Sequence, residues 1–400
     1  MRADSTRHLF AFLNRQLIAR FDATEQGAKL TYLHDTPTPI SLSLQPGAEL
    51  SETHAFDYLD NLLPENERVR DRWAFERGIP NDTFSLLGEY GEDLAGAISL
   101  SPHEELAQRD PQPLVEATVD DIAYHISRLT RDPNATVQAH DFTQRLSLAG
   151  VQAKFSLSRI AESWFWSTFE SPSTHIFKPP SPAFAKVDFL EQRSLEIASA
   201  LGINASQGKV TDFLEQPTFM VERWDRTQGH RVHAEDLAQA LGIANSSKYD
   251  IAAHSLAELL EKHDHQQAIE FVRQLAFNIA IGNADAHVKN YSVLLDGQSV
   301  RLAPLYDAVP TIMYPRLSTR LAMSIGGIRQ VGNLGRSQWH KFASLSGLDP
   351  DEVTATVVPV MTETAEQLPD LAASAGLDSN AVRLVDKHRK LVVRSVQQLM

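Results

Sequence analysis

The apolar residues of this chain change their period part-way along it. Up to about residue 232 they mostly alternate, as in "LFAFLN", "QLIARFDA", "AKLTYLH", "QRLSLAGVQAKFSLS", "WFWSTF", "THIFK" and "TFMVERW". Alternation puts every second side chain on one face of a strand. From about residue 233 they recur at three and four, as in "IAAHSLAELLEKH" and "QQAIEFVRQLAFNIAIG", which gives a helix one apolar face. Such a chain builds a β-rich first half and an α-rich second half. Helical spacing also predicts helices at 65–77, 119–129 and 187–203 in the first half. In the second half it predicts helices over "AEDLAQALG" and at 338–345, 351–367 and 379–399. "DLAGAISLSP" reads as a Gly-punctuated strand. "YSVLLDGQSVRLAPLYD" reads as a hairpin on its Asp-Gly turn. The polar, proline-bearing stretch 101–113 reads as a boundary. A cleft between the halves is the expected ligand site.

Within the helical half, residues 281–295, "IGNADAHVKNYSVLL", break the pattern. Asn283, Asp285, His287, Lys289 and Asn290 fall within eight positions between two apolar flanks. Composition narrows their chemistry. The chain has no cysteine, which excludes disulfides, thiolate catalysis and Cys-ligated metal. Its net charge of -14 does not draw nucleic acid or an anionic membrane to the surface as a whole. No apolar run approaches the roughly 18–20 residues that span a bilayer, and the first residues lack a signal-peptide apolar stretch. A cytoplasmic protein without membrane attachment is expected.

Asp285 and Asn290 stand five apart. Protein kinases use Asp, four residues, then Asn in one short loop: the Asp accepts the proton of the attacking hydroxyl and the Asn binds a metal. Lys289 between them is a cation for the transferring phosphoryl group. Magnesium takes hard oxygen ligands and lets phosphates complete its shell. Asp307, ending "RLAPLYD" 22 positions after Asp285, is the candidate second ligand. Lys178, at the end of "THIFK", is the candidate strand lysine. "FMVERW" reads as a hinge whose backbone at Glu222, Arg223 and Trp224 meets an adenine edge. "SLAGVQAK" reads as a phosphate-covering turn formed by Ala149, Gly150, Val151, Gln152, Ala153 and Lys154.

Taken in order, "FDYLDNLLPENERVRDRW", "LLGEYGEDLAGAISL", "RLSLAGVQAKFSL", "THIFKPP", "MVERWDR", "EDLAQALG", "SKYD", "GNADAHVKNYSVLL" and "LAPLYDAVP" resemble the HipA family of serine/threonine-protein kinase toxins along essentially the whole chain. The resemblance implies an α/β (α+β) chain with a two-lobed kinase-like fold of the lipid-kinase-like branch. That fold has a mixed α/β N-terminal region and an all-helical C-terminal lobe. The parts would be residues 1–104 as a HipA N-terminal subdomain, 105–232 as the kinase N-lobe and 233–400 as the helical C-lobe. It implies transfer of the ATP γ-phosphate, with Mg2+, to a protein Ser or Thr. Asp285 would be the base, and Asn290 and Asp307 the metal ligands. Lys178, residues 149–154, Glu222, Arg223, Trp224, His287, Val288, Lys289 and Asn290 would line the nucleotide. Ser147 matches the family's autophosphorylated serine. A phosphate there adds nearly two negative charges beside the phosphate turn. The family's partner is a helix-turn-helix antitoxin that carries most of the DNA contact, and its substrates include aminoacyl-tRNA synthetases. "KPP" after Lys178 is tighter than the family pattern, and Trp224 stands where Phe is usual.

Two other readings stay open: a catalytically weak kinase-fold corepressor, and a metal-dependent hydrolase built on the Asp285–His287 pair. His287 also reads as a hydrogen-bonded structural residue, and Asn283 as a structural cap of the preceding helix. Glu191 reads either as a partner for Lys178 or as an acid favoured by a helix N-terminus. Asp225 and Arg226 read as an exposed ion pair, which contributes about 0–1 kcal/mol. Glu235 and Asp236 read as the start of a helix.

Overall fold

A computed structural model describes residues 7–34, 36–135, 137 and 152–400. These fall into two compact units: 1–183 with 208–245 and 294–298, and 184–207 with 246–293 and 299–400.

The first unit contains two antiparallel sheets. Strands β1 (His8–Leu13), β2 (Gln16–Ala23) and β3 (Ala28–Tyr32) follow one another, and three helices come next. These are α1 (Glu52–Asn61), α2 (Glu67–Arg77) and α3 (Thr83–Tyr90). Strand β4 (Ile98–Ser101) returns to pair with β1, giving the order β3-β2-β1-β4. Leu9, Phe21, Leu59, Leu86 and Leu100 join sheet and helices in one core. The alternation that predicts β1 to β3 does so because one face is buried and the other is not. Helix α3 escaped it: six of its eight residues are buried, so no polar face marks a period.

Helix α4 (Val119–Arg131) opens on a capping box in which the Thr118 and Asp121 side chains each bond the other's backbone N–H. Its apolar face, Ile122 and Ile126, packs with Phe155, Phe177 and Met220. Those three lie on the second sheet, built from β5 (Phe155–Ile160), β6 (Ser163–Phe165) and β7 (His175–Lys178), with β8 (Gly208–Phe213) and β9 (Gln216–Glu222). Its order is β6-β5-β7-β9-β8. The strand expected over "WFWSTF" stops at Phe165. Trp166 is buried instead with its ring edge-on to His125 at 5.2 Å. The edge strand β8 has no clean alternation and carried no expectation.

Two short strands, β10 (Arg226–Thr227) and β11 (His230–Arg231), pair beyond β9. The helix expected over "AEDLAQALG" is instead strand β12 (Ala234–Asp236) followed by a single turn, α6 (Leu237–Ala240). Asp236 caps that turn, with Gln239 completing a capping box, whereas Glu235 is a buried strand residue.

Helices dominate the second unit. They are α5 (Val187–Ala200), α7 (Ala253–Glu261), α8 (His265–Ile281), α9 (Arg336–Ser346), α10 (Pro350–Ser374) and α11 (Ser379–Leu399). Helix α10 packs on α8, α9 and α11, and α7 packs on α8 and α9. Between α8 and α9 run β13 (Ser292–Asp296), the expected Asp-Gly turn with Gly297 at φ +58°, and β14 (Ser299–Leu302). Every residue of α8 from Gln274 to Ile281 is buried. The helix therefore delivers its C-terminal end to a fixed place.

Candidate active site

Helix α8 ends on Gly282, whose φ of +79° reverses the chain. The N–H of Asn283 then returns to the Asn278 carbonyl at 2.9 Å, the six-to-one bond of a left-handed helix stop. A Cβ on Gly282 would run into Ile312, so glycine is required by both φ and space.

The polar block beyond it is a compact turn. Asp285 donates its N–H to Asn283 Oδ1 at 3.0 Å. The Asp285 carbonyl accepts from the His287 N–H at 2.8 Å and from Asn290 Nδ2 at 2.8 Å. The Asn290 N–H returns to the His287 carbonyl at 2.9 Å. Asp285 is exposed, Asn290 half-buried, and His287, Val288 and Lys289 buried. One turn therefore orients Asp285, His287, Lys289 and Asn290 together. The Asn290 amide has its Nδ2 end on Asp285, which turns its oxygen the other way.

Asp307 sits 22 positions on, with φ +55°. That region is sparsely populated by residues with a side chain, and such conformations collect at functional sites. Its carbonyl accepts from Asn283 Nδ2 at 3.3 Å. Tyr306 donates to the Lys289 carbonyl at 2.9 Å. The Asp307 segment is thus bonded to the turn that carries Asp285.

Tyr249 completes this part and was not foreseen. Its hydroxyl donates to Asp285 Oδ1 at 2.5 Å. Its ring meets the His287 ring edge-on at 5.0 Å, and Lys248 Nζ lies 5.0 Å from its centroid. "SKYD" was the available signal, but nothing in that stretch specifies which carboxylate the phenol will reach.

The remaining candidates lie in the first unit. Lys178 ends β7, buried, opposite Phe219 of β9. Gln152, Ala153 and Lys154 lead into β5, and Ala153 packs at the edge of the α4 core. Ser147, Ala149, Gly150 and Val151 lie outside the described residues. Glu222 is exposed at the end of β9, and its carboxylate is 3.9 Å from His175. Burial lowers the His175 ring below its ordinary value, against the opposing pull of the Glu222 carboxylate. Trp224 is half-buried. Arg223 gives its N–H to the Thr174 carbonyl at 2.9 Å and its side chain to Asp225 and Ser173.

The Asp225–Arg226 pair, expected to be exposed, is instead part of a buried ionic cluster. Arg226 bonds Asp93 at 3.0 Å and Asp225 at 2.9 Å, with side chains no more than 7% exposed. Arg231 forms an ion pair with Asp93 at 3.0 Å. Burial alone would raise the Asp93 carboxyl, but Arg231, Arg226 and Arg223 outweigh it and hold it at about 2. The two halves of this cluster are more than a hundred positions apart in the chain, which hides it from local reading.

Among the described residues no group of three or more His, Asp or Glu is gathered to hold a metal ion. No helix there is long and apolar enough to cross a membrane. Residues 9–101 match the model of the HipA N-terminal domain, and residues 146–369 match that of the HipA-like C-terminal domain. The chain belongs to the HipA family. Y4mE of Sinorhizobium fredii is 33% identical over 357 residues, 84% of this chain and 83% of that one. The serine/threonine-protein kinase toxin HipA of Shewanella oneidensis is 29% identical over 335 residues, 76% of this chain and 75% of that one. The Shewanella oneidensis HipA solved with HipB and its operator DNA superposes with a TM-score of 0.78. That match has 25% identity and covers 98% of this chain and 97% of that one. This HipA-family chain therefore has the mixed α/β, kinase-like fold, and its enzyme class is serine/threonine-protein kinase, with the use of ATP that the class entails.

Proposed function

We propose that this HipA-family kinase moves the γ-phosphoryl group of ATP to a serine or threonine hydroxyl of a protein, with Asp285 as the base. The observation that carries the reading is the bonded assembly of Asp285, Asn290 and Asp307. Asn290 Nδ2 holds the Asp285 carbonyl, and Asn283 holds both the Asp285 N–H and the Asp307 carbonyl. The acceptor hydroxyl gives its proton to the exposed Asp285 carboxylate as its oxygen bonds to phosphorus. The bond from phosphorus to the β–γ bridging oxygen breaks, and ADP leaves with that electron pair. Phosphoryl transfer asks mainly for position and charge stabilisation, and a hydrogen-bonded turn supplies position.

The Asn290 amide oxygen and the Asp307 carboxylate are hard oxygen donors of the kind Mg2+ prefers. Two protein ligands suit an ion whose other ligands are phosphates and water. When bound, Mg2+ would offset the phosphate charge. Lys178, His287, Val288, Lys289 and residues 149–154 are assigned to the nucleotide by resemblance to the family. The Arg223 N–H is occupied by Thr174, so the adenine edge falls to the backbone of Glu222 and Trp224. The parts 1–104, 105–232 and 233–400 serve as N-terminal subdomain, N-lobe and C-lobe. The family model over residues 9–101 supports the first.

The toxin role is part of the same proposal. The solved relative stands in a complex with HipB and operator DNA. A helix-turn-helix antitoxin is the partner proposed here, carrying most of the DNA contact for a chain of net charge -14. Ser147 is the proposed site of inactivating autophosphorylation, and an aminoacyl-tRNA synthetase the candidate class of acceptor.

One experiment tests the reading. Purified protein with labelled ATP and Mg2+ should label protein, itself at Ser147 included. Asp285→Ala should lower the rate by about 100-fold or more, the usual contribution of a positioned base. Nucleotide binding without transfer in the wild type would favour the corepressor. Phosphate release without protein labelling would favour the hydrolase.

A further inference from the structure

Asn283 is the one member of the polar block that the proposed chemistry leaves without a task. Its helix-stop role uses only its backbone N–H, which any residue but proline would supply. Yet its side chain is 4% exposed and bonded at both ends. Oδ1 accepts the Asp285 N–H at 3.0 Å. Nδ2 donates to Asn278 Oδ1 at 3.0 Å and to the Asp307 carbonyl at 3.3 Å. An acceptor and two donors on one short planar group is what asparagine offers; aspartate has no donor and leucine has neither. A second tie runs in parallel. Thr311 Oγ1 accepts the Ala284 N–H at 2.7 Å and lies 3.2 Å from the Gly282 carbonyl, to which it donates.

We infer that Asn283 is a positioning residue that fixes the distance between the turn bearing Asp285 and the backbone of Asp307. The inference rests on the proposed roles of those two aspartates. Asp307 holds φ +55°, a strained conformation that persists only where its surroundings over-determine it. The Asn283 amide bonds the carbonyl of that residue. Without the amide the acid can relax, and the base-bearing turn loses its bond to the same anchor.

The test uses the full-length protein and three variants: Asn283→Ala, Asn283→Asp and Thr311→Val. For Asn283→Ala, kcat per folded molecule should fall by about 10- to 100-fold, the scale of a small misplacement in a reacting site, while KM for ATP stays near wild type. Mn2+ affinity, titrated by electron paramagnetic resonance with a non-hydrolysable ATP analogue bound, should weaken by about tenfold, as for outer-shell partners of metal ligands. Thr311→Val should move both readouts in the same direction by less. If Asn283→Ala fails to fold, Asn283→Asp, which keeps the shape and the acceptor, takes its place with the same expectations. A cap alone would lower the melting temperature and leave kcat and the Mn2+ affinity at wild type, and that result overturns the inference. Asp285→Asn and Asp307→Asn run alongside. If either is fully active, the proposed roles have failed. If both are dead while Asn283→Ala behaves as wild type, only this inference has failed.

Discussion

A phenol donating to a carboxylate at 2.5 Å, as Tyr249 does to Asp285, makes a short charge-assisted hydrogen bond. Such bonds restrict which way a carboxylate faces, and for a general base direction matters as much as basicity. Tyr249→Phe keeps the ring against His287 and deletes only the hydroxyl. A net loss of about 1.5 kcal/mol, the lower end for bonds to charged groups, translates to a kcat about tenfold lower with KM for ATP unchanged. Initial-rate kinetics on purified protein would check this. A kcat equal to wild type would mean that the phenol has no catalytic hold on Asp285. The residue was legible as part of "SKYD", but its partner was not, because 36 positions separate them.

At the scale of elements, the helix-to-turn junction places the polar turn that carries Asp285 and Asn290. Helix α8 is enclosed on all sides along its last two turns, so its stop leaves little freedom in where the next residues begin. Gly282 makes the stop, with φ +79° and Ile312 packed where a Cβ would be. Gly282→Ala adds about 1–2 kcal/mol of left-handed strain to about 1–3 kcal/mol of overpacking. Chemical denaturation should report a loss of about 2–5 kcal/mol, with activity falling beyond what the unfolded fraction explains. The junction was readable from the sequence because its determinants are local: an apolar helical run, a glycine, then polar residues at fixed spacing. β12 with its single-turn helix was not readable. "AEDLAQALG" has helical composition, and the pairing of its first residues as a strand is a tertiary choice that overrides local preference.

Over the whole molecule, the buried titratable groups set how stability responds to pH. Glu235 is buried, and that burial pushes its carboxyl up to about 8, against bonds from Ser41 and the Leu42 N–H, the latter at 2.8 Å. An acid with a folded pKa above its unfolded one binds its proton more tightly when folded. Its contribution is therefore full below about 4.5 and is lost as pH rises towards about 8. His233, two residues earlier and bonded to the Ile40 carbonyl at 2.9 Å, runs the other way. Burial pulls it from 6.5 down to about 4, so its contribution is present above 6.5 and lost as pH falls through that window. Glu235→Gln removes the first effect alone. Between pH 6 and pH 8.5 the melting temperature of the wild type should fall more than that of the variant, as scanning calorimetry would show. Equal slopes for the two proteins would mean that Glu235 is ionised in the folded state throughout.

The sequence by itself determined the period of most of the longer elements, the local turn that carries Asp285 and Asn290, and, through the order of its motifs, the family, because each is written in the residues along the chain rather than in their contacts. Only the tertiary structure decided which distant groups those residues meet. Tyr249 on Asp285, Asn283 on Asp307, Asp93 among the arginines 223, 226 and 231, and Glu235 on the loop at Leu42 join positions separated by 24 to 193 residues or intermediate spans. Such pairs are set by how packed elements bring their side chains together and by the cost of burying a polar group without a partner. That cost depends on the whole fold and leaves no periodic mark in the chain.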